Sequence, residues 1–299
     1  MNWLFYSLLA PAIFAINVLV DKYILEKEVS DYQGMPIYTS IMAAIFGILL
    51  WFMTGFPLLN SRDALLIMLT GMLTLWGAAF YFKALSNQEA SNIIILFQTG
   101  PILTLILAYL FLRNTITNSQ LIGFFIILLA TVGVSLNTKK SNFKLSPAFF
   151  LILFANLFWS FAAVIAKFVL EYSSFSRVIS FESFGIALGG LILYILFPSF
   201  SKAFKKTQKN IRKVALLVIL TNEGVYLVGR FITFLAISLG PVALVGVIGG
   251  TQVFAGILLG YFLTLIAPKI FQENISGKGL FKKITIGMFV FLGLWLIKG

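Results

Sequence analysis

Apolar runs long enough to cross a bilayer follow one another along almost the whole chain, separated by short polar turns. A helix needs about 20 mainly apolar residues to span the hydrocarbon core. On that rule the sequence predicts ten spans, at approximately 3–20, 34–53, 64–85, 91–112, 119–137, 147–169, 178–197, 213–238, 241–266 and 283–297. Connections such as Ser86 to Ala90 and Gly240-Pro241 admit only tight helical hairpins. The polar stretch Asn137-Thr138-Lys139-Lys140-Ser141-Asn142 has linker composition, and it divides the chain into units at 1–140 and 145–299 with five spans each. The connection Ser201 to Lys213 is strongly basic, and the loop Pro268 to Lys283 reads as a solvated, partly helical excursion.

The two units repeat one another. Asp21-Lys22-Tyr23-Ile24-Leu25-Glu26 returns as Ala166-Lys167-Phe168-Val169-Leu170-Glu171, and Phe82-Lys83-Ala84-Leu85-Ser86 returns as Phe234-Leu235-Ala236-Ile237-Ser238. Ala108-Tyr109-Leu110-Phe111 returns in the same order as Gly260-Tyr261-Phe262-Leu263. Because each copy holds an odd number of spans, the copies must enter the membrane from opposite sides. An inverted repeat predicts a central site reached alternately from either face, which is the architecture of a secondary transporter.

Composition supports the membrane reading and removes other classes. Hydrophobic residues are 60% of the chain and charged residues 11%, with a mean hydropathy of +1.00, whereas soluble domains run at about 45–50% and 25%. The net charge of +12 does not point to nucleic acid, since the Lys and Arg residues sit in short turns and form no basic, aromatic-interleaved face. Most of them flank the turns after spans 1, 3, 5, 7 and 9, so the positive-inside rule makes that side cytoplasmic and leaves both termini outside. With no Cys and no His, the chain lacks thiol nucleophiles, disulfides, zinc ligands of those types and the usual general base. No enzyme, cofactor or metal site is expected. The first apolar run has no basic leader and no small-residue cleavage site, so it reads as a retained span.

A first span ending in a Lys, a third ending in an Ala-Leu-Ser turn, and a fourth running into Asn114-Thr115-Ile116-Thr117 and Gln120-Leu121-Ile122-Gly123 together resemble the EamA domain of the drug/metabolite transporter superfamily. The resemblance covers nearly the whole chain as two units. It implies an all-α integral membrane protein of ten helices in two inverted five-helix repeats, with a central cavity lined mainly by spans 1, 3, 4, 6, 8 and 9. It also implies a Gly-Glu pair after the fourth span; the first half has Arg113-Asn114 there, and Glu273 is the equivalent in the second. Cytoplasmic termini are common in the family, opposite to the charge count.

Ionisable groups near the bilayer centre cost about 2.5–3.5 kcal/mol by insertion scales, so those that persist face a cavity or a partner. Span 8 holds Glu223 and Arg230 on one face, about 10 Å apart along the axis. Arg230 is placed to receive an anionic group, and Glu223 an amine or a coupling proton; alternatively each fixes packing with a neighbour. Repeat alignment sets no acid opposite Glu223, which takes it out of the duplicated framework. Glu182, in the first turns of span 7, is a second candidate for proton coupling, or an interfacial acid near a helix N-terminus. Lys22 and Lys167 are expected to snorkel.

Asn17, Gln98, Thr99, Asn156, Ser160, Thr251 and Gln252 must face other helices or water, as substrate contacts or as interhelical glue. Trp76, Trp159 and Tyr226 are candidate cavity aromatics. Gly246-Val247-Ile248-Gly249-Gly250, with Gly256 and Gly260, predicts close packing along span 9. The sequence thus predicts a plasma-membrane secondary transporter for a small amino acid-like or amine/drug-like metabolite. The alternatives are a nucleotide-sugar or lipid-linked carrier and a non-transporting receptor or assembly subunit. Membrane lipids and a small-molecule substrate are the expected partners, and a monomer is one of the oligomeric states the sequence allows.

Overall fold

With no water in the hydrocarbon core, each buried segment must close its own backbone hydrogen bonds, and helices do so. A computed structural model of the chain describes residues 3–29, 31–88, 90–113, 116–135, 147–256, 259 and 288–297, and they contain no strand. Helix α1 covers Trp3–Lys27. A single 3-10 turn, Tyr32–Gly34, capped by the Asp31 carboxylate, leads into α2, Met35–Met53. Asn60 caps α3, Ser61–Asn87, by accepting from the Asp63 N–H at 2.9 Å. Then come α4 (Ala90–Leu96), α5 (Thr99–Leu107) with a π-helical turn at Ala108–Leu112, and α6 (Asn118–Ser135). The second half has α7 (Pro147–Leu170), α8 (Phe175–Leu196), α9 (Pro198–Asn210), α10 (Lys213–Leu239), α11 (Val242–Gly249) and α12 (Met288–Ile297).

Six of these segments are long and apolar enough to cross a membrane, and four shorter apolar ones accompany them. Three differences from the sequence pattern carry consequences. The first span does not end near residue 20: α1 continues to Lys27 and carries Asp21 inside the protein, where it is buried. The fourth and ninth spans are interrupted, at Phe97-Gln98 and at Gly250-Thr251. The basic connection after the seventh span is mostly helix, α9, which buries Ala203 and Thr207 and leaves Lys202, Lys205, Lys206 and Lys209 exposed. The linker at 137–142, Glu273 with its loop, and Gly260 lie outside the described residues.

Helices of the two halves pair across the centre. α3 packs on α7, α1 on α10 and α2 on α8. α3 and α7 run antiparallel: Phe80 meets Phe154 and Phe158, Trp159 donates to the Thr74 carbonyl at 3.0 Å, and the Tyr172 hydroxyl reaches Asp63 at 2.9 Å. α1 and α10 also run antiparallel, with Phe14 against Tyr226 and Asn17 donating to the Asn222 carbonyl at 3.1 Å. α3 and α8 approach backbone to backbone at Gly71 and Gly185; a Cβ on Gly71 would lie 2.5 Å from Ile186 N and 2.7 Å from the Gly185 carbonyl carbon. Outward positions such as Ile48, Phe52, Leu65, Leu110, Leu129 and Trp295 are exposed apolar side chains, as a lipid-facing surface requires.

The repeated Lys has a structural meaning. Lys22 Nζ donates to the Leu85 carbonyl at 3.0 Å, and Lys167 Nζ donates to the Ile237 carbonyl at 3.2 Å. Leu85 and Ile237 are matched residues of the second repeated motif, near the C-terminal ends of α3 and α10. A cation there satisfies a carbonyl that the helix end leaves unpaired and lies at the negative end of the helix dipole. Snorkelling is therefore not what holds these residues: one repeated motif bolts the end of another.

Candidate functional site

A cavity of about 280 Å³ opens between the halves. Its wall comes from α1, α3, α4, α5, α7, α10 and α11, with Thr39 of α2, which are the spans that the family resemblance implies. Among the expected site residues, Glu223, Arg230, Tyr226, Trp159, Asn17, Gln98 and Gln252 reach it. Asn156 and Ser160 reach it as well.

One end is acidic. Asp21 accepts the Tyr81 hydroxyl at 2.8 Å on one oxygen and Asn222 Nδ2 at 2.7 Å on the other. Asn17 then ties Asn222 back to α1 through the Asn222 carbonyl. Glu223, the next residue on α10, is 2% exposed and lies beside Thr39, whose hydroxyl donates to the Met35 carbonyl at 3.2 Å. Sequence reasoning gave Asp21 no role in the site.

Arg230 is not a vacant anion receptor. Its guanidinium pairs with Glu182 of α8, donates to Thr74 Oγ1 at 3.0 Å and lies over the Phe234 ring at 4.9 Å. Glu182 is no interfacial acid; it is fully buried and outside the cavity wall. The close α3–α8 contact at Gly71 and Gly185 sets the distance that lets this pair form across Thr74.

Aromatic rings line the space beside the acids. Tyr81, Phe97 and Trp159 touch one another with centroid separations of 5.7, 5.6 and 6.2 Å. Gly77 makes room for the indole, since a Cβ there would lie 2.7 Å from Trp159 Nε1. Trp76, one residue earlier, turns away from the cavity and directs its Nε1 to the Gly189 carbonyl at 3.4 Å. It is a packing residue between α3 and α8, because adjacent helix positions point about 100° apart.

Thr99 and Thr251 also leave the wall. Thr99 Oγ1 donates to the Leu96 carbonyl at 3.0 Å and accepts Asn156 Nδ2 at 2.7 Å; Thr251 Oγ1 donates to the Ile248 carbonyl at 2.7 Å. Both hydroxyls satisfy carbonyls at the helix interruptions. Gln98 Nε2 approaches the Gly250 carbonyl at 3.4 Å, so the interruptions of the two halves meet. Gly246 and Gly250 face Thr104 and Gln98 of the fourth span, the close packing that the glycine spacing predicts.

Residues 1–136 match the EamA-like transporter family. An uncharacterized transporter of Methanothermobacter thermautotrophicus is 24% identical over 216 residues, which are 65% of this chain and 61% of that protein. An uncharacterized protein of Methanocaldococcus jannaschii is 24% identical over 136 residues, 44% of this chain and 94% of its own length. A solved crystal structure shares the fold with a TM-score of 0.66 at 16% identity, over 96% of this chain and 98% of its own. The family match and the apolar helices fit a multi-pass membrane protein.

Proposed function

We propose that this protein is an EamA-type secondary transporter that moves a small organic solute by alternating access, as ten helices in two inverted five-helix repeats. The observation that carries the proposal is the cavity between the halves, walled by helices of both and holding buried acids. The matched Lys22 and Lys167 bonds and the antiparallel α1–α10 and α3–α7 pairs support an inverted repeat. In this reading Glu223 carries the coupling proton. The face bearing α9, Lys27, Arg212 and Lys213 is the cytoplasmic one by the positive-inside rule, in a plasma membrane.

A nucleotide-sugar or lipid-linked carrier would need a basic wall for phosphates. Among the described residues, Arg230 is the one cation on the wall, and Glu182 already holds it. A receptor or assembly subunit has no need of a central void. The test is solute flux into proteoliposomes with and without a pH gradient, for the wild type and Glu223→Gln. A gradient response that survives the substitution unchanged removes Glu223 from coupling, and no flux of any small metabolite removes the transport reading.

A further inference from the structure

We propose that Asp21, Glu223 and the amide of Gln252 form a binding site for an organic ammonium ion that carries its own hydrogen-bond acceptor. The inference rests on the cavity being the transport site and names the substrate class for it.

Charge on the wall does not balance. Arg230 and Glu182 cancel one another. Lys22 is committed to the Leu85 carbonyl and to Glu26 at 3.2 Å, and Lys167 to the Ile237 carbonyl. Asp21 and Glu223, each 2% exposed and on the same cavity, therefore have no cationic partner among the described residues. Buried carboxylates without a cation are costly, and a cavity lets a mobile cation supply one. A carboxylate offers about four lone-pair positions, and Tyr81 and Asn222 use one on each Asp21 oxygen. They orient the group and leave room for an ammonium.

A second observation comes from a different helix segment and a different atom. Gln252 is 9% exposed, lines the same cavity, and its Nε2 has no partner among the described residues. An unmet buried donor is unfavourable, and a ligand oxygen would meet it. Asp21, Glu223 and Gln252 line one cavity, and Val253, the next residue, belongs to the same buried cluster as Val18, Tyr81 and Ile94. The Tyr81, Phe97 and Trp159 rings offer faces to an ammonium and to an apolar body. A free carboxylate on the ligand meets only a cation whose charge Glu182 already neutralises, with the Arg230 Nε–H as its one unpartnered donor among the described residues. The site selects a cation over a zwitterion or an anion of the same body.

Four compounds with one phenyl body separate these classes: L-phenylalaninol (ammonium with hydroxyl), phenethylamine (ammonium alone), L-phenylalanine (zwitterion) and 3-phenylpropionate (anion). Binding to the purified full chain is read by calorimetry near pH 7. Phenylalaninol is expected to bind, with phenethylamine about fivefold weaker for one lost neutral hydrogen bond, and the zwitterion and anion at least tenfold weaker. Asp21→Asn and Glu223→Gln each weaken phenylalaninol at least tenfold. Gln252→Leu brings phenylalaninol to the phenethylamine level and leaves phenethylamine unchanged.

Equal or tighter binding of phenylalanine or phenylpropionate overturns the proposal, as does no binding of phenylalaninol, or an unchanged Kd in both acid variants. Should an acid variant fail to fold, the wild-type series and Gln252→Leu still decide. Flux is scored separately. Phenylalaninol bound, with neither it nor any other small metabolite moved, sinks the transport reading and leaves the site; phenylalanine moved with no phenylalaninol bound sinks the site and leaves transport.

Discussion

Breaking the Arg230–Glu182 pair one side at a time gives an asymmetric result that can be worked from the structure. Removing one partner of a buried ion pair costs about 3–5 kcal/mol, because the other charge is left unpaired. Glu182 is 1% exposed at its side chain and Arg230 14%, open to the cavity. Arg230→Met strands a fully enclosed carboxylate and also removes the bond to Thr74, so it falls at the upper end, roughly 5 kcal/mol. Glu182→Gln keeps a carbonyl acceptor for the guanidinium, and cavity water and the Phe234 ring remain beside the cation. It falls at the lower end, roughly 3 kcal/mol. The double variant loses both charges together and should regain most of the deficit. Unfolding in detergent, followed by tryptophan fluorescence, closes the cycle. A coupling energy below about 0.5 kcal/mol, the level of independent sites, refutes the pair as a structural unit, and a larger loss for Glu182→Gln than for Arg230→Met refutes the burial argument.

Four further outcomes are expected. Gly71→Ala sets a Cβ against the immovable backbone of α8 and should destabilise by about 1–3 kcal/mol; a melting temperature equal to wild type would contradict the α3–α8 contact. Arg113 ends the fourth span at φ 51°, a left-handed backbone that costs a side chain about 1–2 kcal/mol against about 0.5–1 for glycine's extra entropy, so Arg113→Gly should raise thermal stability slightly. Arg212 donates to both Glu28 oxygens, at 2.7 and 3.0 Å, and holds that carboxyl below its ordinary value of 4.5; a depressed acid stabilises fully above its unfolded pKa and loses that effect as pH falls through the folded one. The stability gap between wild type and Glu28→Gln should then be constant near neutral pH and close in acid below about pH 4, and a gap that widens in acid would refute the assignment. Trp159→Leu should weaken phenylalaninol binding while Trp76→Leu leaves its Kd unchanged, and equal effects would place Trp76 back on the wall.

Helix positions followed directly from apolar run length, because span-length hydrophobicity is set by the bilayer and needs no tertiary information. Boundaries failed where a charge met a partner. A rule that stops a span at its first ionisable residue ends α1 near residue 20, whereas Tyr81 and Asn222 satisfy Asp21 and let the helix continue. Glu182 and Arg230 were both visible as intramembrane charges, but nothing local ties residues on α8 and α10 together; the tie comes from glycines that bring α3 and α8 into contact. Trp76 and Trp159 have the same chemistry, and only the positions of α7 and α8 around α3 decide which one lines the cavity. The polar level Gln98-Thr99 and Thr251-Gln252 was legible as polar, but its threonines serve the helix interruptions and its glutamines serve the cavity.

A matched residue marks scaffold, and Lys22 with Lys167 bears this out through equivalent bonds to Leu85 and Ile237. The same repeated motif opens with a mismatch, Asp21 against Ala166. A charge kept in one copy beside a conserved-in-both neighbour is under no demand from the shared framework, so it answers to something present in one half only. Glu223 of the other half is unmatched in the same sense. Since α1 lies against α10, each half contributes one unshared carboxyl, and the two arrive at a single cavity. The two unmatched acids give that cavity a charged end, and a solute with one charged end, as proposed above, would have one orientation in which to bind.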